Sequence, residues 1–579
     1  MATIDDFVTA HPTITTRRSN QLQSALGRRY TMTSTHIIGF AAAVLLAGAA
    51  PSWGTESTAT PASPKSLSTT VPLYTNLGSH HKPISTRVPA TQQYFDQGLR
   101  FVYGFNHAEA IRSFTHAAEL DPACAMCYWG IALAYGPHVN APMDAAGGVA
   151  AHAAAQKALT LTSHATAPER AYIEAVAQRY EAAPPADRAR LDVAYSRAME
   201  QVANTYADDL DAATLYAESL MDLRPWNYWQ PDGAPYPGTD EIVRKLQRVL
   251  SRNPNHPGAC HYYIHAVEAV NPQAAVPCAE RLSRLMPGEG HMVHMPAHIY
   301  IRVGRWNDAV QANQHAIHSD EVFIEGQHPM GVYPLAYYPH NIHFLAFAST
   351  MAGRSAEAIE ASQTLTSKVN LDAARLVGML QEMLPYHALT LTTFGKWDDV
   401  LAEPLPPADI RFSYAMALYA RGVAYAAKGQ WAEAQAALDT VTAINAAMPE
   451  GADGKTAISI AVHALSGEIA TRRGDLDTGT NHFREAANIE DTGLYFEPPK
   501  WYYPIRHSLG AALLKAGHNA EAEKVYREDL ARFPENGWSL FGLAQALLAQ
   551  GKNAEAAAAE ARFRRAWANT DVTLTASRF

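Results

Sequence analysis

The chain has 579 residues, enough for several domains or one extended repeat array, and 48% of them are hydrophobic, an ordinary share for a globular protein. A formal net charge of −10 with no basic tract argues against nucleic acid as a partner and leaves room for a cation site. Alanine-rich segments and few β-branched runs favour an all-α fold.

In chain order, the first element is a targeting segment. Ile37 to Ala50 (IIGFAAAVLLAGAA) is an apolar run of signal-peptide length, with Arg28 and Arg29 upstream and small residues at Ala47-Gly48-Ala49. It predicts export to a periplasmic or extracellular setting, with cleavage between Ala49 and Gly54. The run is short for a membrane span, so no stable span is expected after cleavage. Met32 is an alternative start. Residues 1–54 are therefore read as extension plus signal peptide. Their loss (four Arg, two Asp) would leave the chain near −12. Residues 55–88, rich in Ser, Thr and Pro, predict a disordered linker.

Next comes TQQYFDQGLRFVYGFNHAEAIRSFTHAAELDP, residues 91 to 122, with Tyr94, Gly98, Phe101, Ala110, Phe114, Ala117 and Pro122. This spacing resembles the tetratricopeptide repeat (TPR), in which small residues let two helices approach and large rings fill the gaps. Similar signatures return at Gly422, Tyr425 and Ala434; at Gly467, Phe483 and Ala486; at Gly510, Ala522, Tyr526 and Pro534; and from Gly537 through Ala556 to Phe563. Degenerate copies fall near 125–160, 211–250, 257–287, 290–318, 339–366 and 380–402. The resemblance implies a right-handed solenoid of about 9 to 11 helical hairpins. It is divided here into a His-rich array over 89–402 and a C-terminal array over 403–579. The chain also resembles large bacterial TPR proteins with a His-rich middle, a group to which no activity is attached.

Cys124 and Cys127 stand at the junction into the second copy, where a redox pair, a local disulfide or simple packing all fit. Tyr128 stands where haem attachment would need His. Cys260 and Cys278 lie on successive predicted helices, which allows a bridge in an oxidising compartment. Two connections are long: RPWNYWQPDGAPYPGT (224–239), with Trp226 and Trp229, and SDEVFIEGQHPMGVYPLAYY (319–338). Both are read as aromatic lids over the groove or as seals on the solenoid.

The chemistry lies between them. GHMVHMPAHIYIRV (290–303) places His291, His294, His298 and Arg302 on one stripe of a helix. Registered on the TPR pattern, the three histidines take positions 2, 5 and 9, which the resemblance turns toward the concave groove. His340 and His343 repeat positions 2 and 5 in the following copy, and His261 and His265, with Glu268, precede. His507 takes position 5 much later. Imidazoles converging from adjacent helices suit a divalent transition metal, Zn, Cu, Fe or Mn. No HExxH, catalytic triad order, Walker loop or dinucleotide fingerprint accompanies them. Two functions follow. One is an exported scaffold holding a peptide or protein segment in a groove lined by these histidines, Arg302 and the tryptophans, the common use of TPR arrays. The other is a metal-binding protein or metal-dependent oxidoreductase or hydrolase using His261, His265, His291, His294, His298, His340 and His343, with metal storage as a lesser variant.

Overall fold

The computed structural model describes residues 71–579 apart from 328, 330, 331 and 494. The predicted signal peptide and residues 55–70 of the linker lie outside that range. Among the described residues the protein is all-α. Twenty-seven α-helices follow one another, mostly as antiparallel hairpins, with only two isolated β-bridges.

The repeat signature forms hairpins for the packing reason it carries. Phe114, on helix His107–Leu120, lies between Gly98 of its own hairpin and Gly130 of the next. A Cβ on either glycine would stand 2.7 or 2.5 Å from the ring. Near the C-terminus Tyr526 fills the same slot between Gly510 and Gly542, at 2.3 and 2.2 Å. The glycines are there because two backbones close on one ring, which leaves no room for a side chain. Gly467 meets Phe483 in the same way.

Residues 71–88 were expected to be disordered, but they form an extended strap laid on the first hairpins. Leu77 is buried, Lys82 Nζ lies 2.8 Å from Asp209, and His80 Nε2 lies 2.9 Å from Asp211. Charged partners on the helices outweigh the strap's Ser/Thr/Pro composition. The second long connection also departs from expectation. Helix Trp306–Gln327 runs through its first part, and a π-helical turn, Tyr333–Tyr337, leads directly into helix Tyr338–Met351. Its aromatic residues are helical packing, not a loop.

The array folds back on itself. Trp306 donates its indole N–H to Pro534 O, Trp538 to Thr350 O and Trp567 to Met351 O, at 2.9, 3.0 and 2.9 Å. Asp571 accepts the backbone N–H groups of Ser355 and Ala356 at the start of helix Ser355–Lys368. The stretches 89–402 and 403–579 thus share one packed interior, and the His-rich helices lie inside it.

Candidate metal centre

Helix Pro257–Val267 carries His261 and His265 one turn apart. Gly258 lets the Tyr103 ring press against this helix; a Cβ there would sit 2.3 Å from the ring. That approach brings Tyr103 O within 2.6 Å of His261 Nδ1. The predicted stripe at 290–302 is two short helices, Gly290–His294 and Pro296–Arg302. Pro296 has no N–H to continue the ladder, so the helix breaks between His294 and His298. The two rings still meet. His340 arrives from helix Tyr338–Met351.

Six of the seven predicted metal residues come together. His261, His265 and His291 bring one ring nitrogen each within 4.8 Å of one another, and so do His294, His298 and His340. The two sets adjoin, with the His265 and His298 rings 5.5 Å apart and those of His291 and His294 6.0 Å apart. All but His340 are almost wholly buried, at 0–3% exposure. The register turned the stripe toward an open concave groove, but His291, His294 and His298 face the packed interior and are buried.

Hydrogen bonding fixes the ring orientation. His261 Nδ1 meets a backbone carbonyl, and His294 Nδ1 meets Asn313 Oδ1 at 2.6 Å. Asn313 Nδ2 is committed to Ala309 O, so its oxygen faces the ring. Glu268 spans the two sets, with one oxygen 3.2 Å from His265 Nδ1 and the other 2.8 Å from His298 Nδ1. Glu497, from the C-terminal stretch, lies 3.0 Å from the same His298 nitrogen. Each partner is an acceptor, so each of these four Nδ1 atoms carries the proton. The Nε2 atoms then face each other, His261 to His265 at 3.2 Å and His294 to His298 at 2.9 Å. Two nitrogens on one tetrahedral ion with bonds of about 2.0–2.1 Å stand about 3.3 Å apart. Nδ1 tied to an acceptor and Nε2 turned inward is the arrangement of a metal-ligating imidazole.

Charge follows the same layout. Burial, reinforced by neighbouring imidazoles, pushes His261, His291, His294 and His340 well below the ordinary histidine range. Burial also lowers His265, against the pull of Glu268. These rings stay neutral, as ligands must. His298 goes the other way, up to about 9, because Glu268 and Glu497 outweigh the burial of its charge. Glu268 is held down to about 2: burial opposes its charge, and His298 and His265 overcome it. In the metal-free chain, therefore, the second pair holds a proton between its nitrogens, whereas the first presents two lone pairs. Both ring nitrogens of His291 are buried without a hydrogen-bond partner.

The remaining predicted residues separate. His343 is one turn beyond His340 but packs on Tyr386, ring centroids 4.2 Å apart, and is outside both sets. The i, i+3 step that suits one helix face carried it past the centre. His507 is corrected as a groove residue: it lies 3.2 Å from Asp529, which also accepts from Ser539 and Asn536, a buried junction of the last hairpins. Arg302 donates to Ala269 O and lies over the Tyr495 ring, behind Glu497. Trp226 stands edge-on to His265, ring centroids 4.9 Å apart, and Trp229 donates to Ala266 O. The 224–239 insertion thus covers the first set. Cys124 and Cys127 are joined in a disulfide, while Cys260 and Cys278 are free and buried, so the bridge allowed for that pair is not formed.

Sequence reasoning missed Glu497 and Tyr103, since partners so distant along the chain leave no periodic signal, and Asn313, a lone amide on the adjoining helix 19 residues from His294. It also missed His80, Asp211 and His256, a third convergent group. There Lys82 lies 3.7 Å from Asp211, and Tyr103 donates to it at 2.6 Å, so the carboxylate already has its cation and its donor.

No family model matches the chain, and no curated protein matches it. Among solved structures it is similar to a human IFIT1 dimer with m7Gppp-AAAA, at 11% identity over 85% of this chain and 91% of that one, TM-score 0.28. It is also similar to Naa15/Naa10 bound to HypK-THB (12%, covering 83% and 71%, TM-score 0.21) and to the TPR domain of P58(IPK) (10%, covering 80% and 98%, TM-score 0.20). The chain is an all-α solenoid with a weak likeness to helical-repeat proteins, and TM-scores this low carry no functional argument.

Proposed function

We propose that this chain is a metalloprotein holding two adjoining transition-metal ions, one on His261, His265 and His291 and one on His294, His298 and His340, and that it works as a metal-dependent oxidoreductase. The observation that carries the reading is the pair of facing Nε2 atoms in each set, every one backed by an acceptor on its Nδ1. Three imidazoles per ion, the second set after an incoming ion displaces the proton held between His294 and His298, favour copper first, on intrinsic affinity, and zinc second. Glu268 bonds the Nδ1 atoms of His265 and His298 and so stands behind the imidazoles, but the same three residues also bring one donor atom each within 4.8 Å of one another, which keeps a carboxylate-bearing site for iron or manganese as the alternative. Three protein donors leave a position open on each ion, the mark of a reactive site over a structural one. Two redox ions side by side suit a two-electron change.

The scaffold reading has less support. A helical-repeat array can take a partner on its surface, but these histidines are not offered there. Export remains part of the proposal, and the oxidised Cys124–Cys127 pair suits an oxidising compartment.

The test is elemental analysis by plasma mass spectrometry on protein made without a His tag, as purified and after reconstitution with copper or zinc. Two ions per chain are expected, with loss of one set in His294→Ala/His298→Ala and of the other in His261→Ala/His265→Ala. Fewer than 0.2 ions per chain after reconstitution (about one chain in ten with both sites filled, by mass action) would refute the reading.

A further inference from the structure

Residues 571–579 follow the last helix and run without helix across the C-terminal hairpins. The segment meets helices Lys455–Arg473, Arg506–Lys515, Asn519–Arg532 and Gly537–Ala549 through Arg472, His507, Tyr526 and Trp538. Among the described residues, no backbone N–H from Thr573 to Phe579 bonds a main-chain carbonyl. Three consecutive side chains hold the segment instead.

Each of the three has its own seat. Ser577 Oγ donates to His507 O at 2.9 Å and meets Tyr526 Oη at 2.6 Å. Phe579 stands edge-on to Trp538, ring centroids 5.9 Å apart, and its backbone oxygen accepts from Arg472 at 3.0 Å. The Arg578 guanidinium lies 4.1 Å from the centre of the Tyr503 ring and 5.9 Å from that of Tyr502, and donates to Tyr502 Oη at 3.1 Å. Arg578 is only 7% exposed, yet its Nε and Nη1 have no hydrogen-bond partner among the described residues. Glu468, whose charge favours this cation, is itself bonded to Arg472 at 3.0 Å. A permanent seal would place an apolar residue here, because a buried guanidinium with unpaired N–H groups is costly. Aromatic faces gathered on a cation are the chemistry of recognition.

We propose that this face of the hairpins is a receptor for an extended peptide carrying a hydroxyl residue, an arginine and an aromatic residue in succession, and that residues 571–579 fill it in cis as a displaceable occupant. The partner it fits is a protein segment of that chemistry, which enters as the chain's own segment leaves. The inference is independent of the metal reading, since the seats are built from residues outside both histidine sets.

The probe is the peptide DVTLTASRF, the sequence of residues 571–579, labelled at its amino end and titrated by fluorescence anisotropy into the full-length protein. Arg578→Ala/Phe579→Ala loosens the chain's own hold on the site, so this variant should bind the peptide saturably, one per chain. The native chain should bind it at least about 10-fold more weakly, because its own segment competes at the roughly millimolar effective concentration of a short tether. A peptide with alanine in place of its arginine should lose about 10- to 30-fold, the worth of a desolvated cation–π contact. Arg578→Lys keeps the cation but not the planar fork, so it should open the site to the peptide by about threefold. Thermal unfolding is measured on each sample, and Arg578→Lys decides the matter where the double variant fails to fold. No saturable binding to a folded variant overturns the receptor, as does equal binding of the alanine peptide. Equal affinity of the native and Arg578→Lys chains overturns the occupancy in cis. A native dimer in sedimentation that separates in Arg578→Ala/Phe579→Ala overturns it too, since the segments would then be exchanged between copies.

Discussion

Glu268→Gln should separate the two metal sites. The carboxylate holds His265 Nδ1 at 3.2 Å and His298 Nδ1 at 2.8 Å. A glutamine keeps one acceptor and turns an N–H₂ toward the other ring. His298 has a second carboxylate, Glu497, at 3.0 Å, so it tolerates the change. Among the described residues His265 Nδ1 has no acceptor besides Glu268, so this ring loses its orientation and part of its basicity. Loss of such a supporting partner costs about 10- to 100-fold in metal affinity, or about 1.4 to 2.8 kcal/mol. The first set should weaken by that factor and the second by less than about threefold. The metal-free protein keeps its buried His298–Glu497 pair, so its unfolding should change little. Zinc titrated against a chromophoric chelator reads the two affinities without redox complications. Equal weakening at both sites would refute the claim that Glu497 spares His298, and none at either would refute the claim that Glu268 orients these ligands.

Acid should destabilise the metal-free protein well before its carboxylates titrate. Burial lowers His107 from 6.5 to about 4, so its neutral form is the one the fold accepts. Stability is full above pH 6.5 and falls as pH drops toward 4, by about 3 kcal/mol for this residue at about 1.4 kcal/mol per pH unit; thermal melts from pH 7.5 to 4.5 should show it, and a flat profile would contradict the burial. Trp567→Ala should cost about 3–5 kcal/mol by leaving a cavity where the last hairpin meets Met351. Urea unfolding with limited proteolysis should then show the C-terminal hairpins opening first. Gly258→Ala should destabilise by about 1–3 kcal/mol despite alanine's better helix propensity, because Tyr103 has nowhere to move; a higher melting temperature would disprove that close approach.

The hairpins were legible because their signature is local: Gly98 and Phe114, or Gly510 and Tyr526, are a helix pair's own packing written at fixed spacing. Six site histidines were legible for the same reason, each set containing an i, i+4 pair. His343 shows the limit of that signal, since one further step along a helix moved it from the centre to the Tyr386 ring. Glu497 and Asn313 could not be read at all. The place of Glu497 depends on how the array folds back, which is set by tryptophan contacts such as Trp538 to Thr350, whereas Asn313 lies on the stripe's own hairpin partner, 19 residues from His294, where a single amide carries no periodic signal. The strap at 71–88 misled because its composition is that of a loose linker, while its partners, Asp209 and Asp211, stand far along the chain.

The contact between Glu497 and His298 also bears on timing. A chain is made from its N-terminus, so all six imidazoles exist before the segment that encloses them. The centre therefore passes through an accessible phase, ended only when the final hairpins dock through Trp538 and Trp567. An ion captured before that moment is sealed in, and one arriving afterwards must wait for the docked hairpins to part. Since imidazole sets discriminate weakly among late first-row metals and availability decides the outcome, a metal bound as proposed would be chosen by the compartment in which the chain finishes folding, whatever is abundant where it later works.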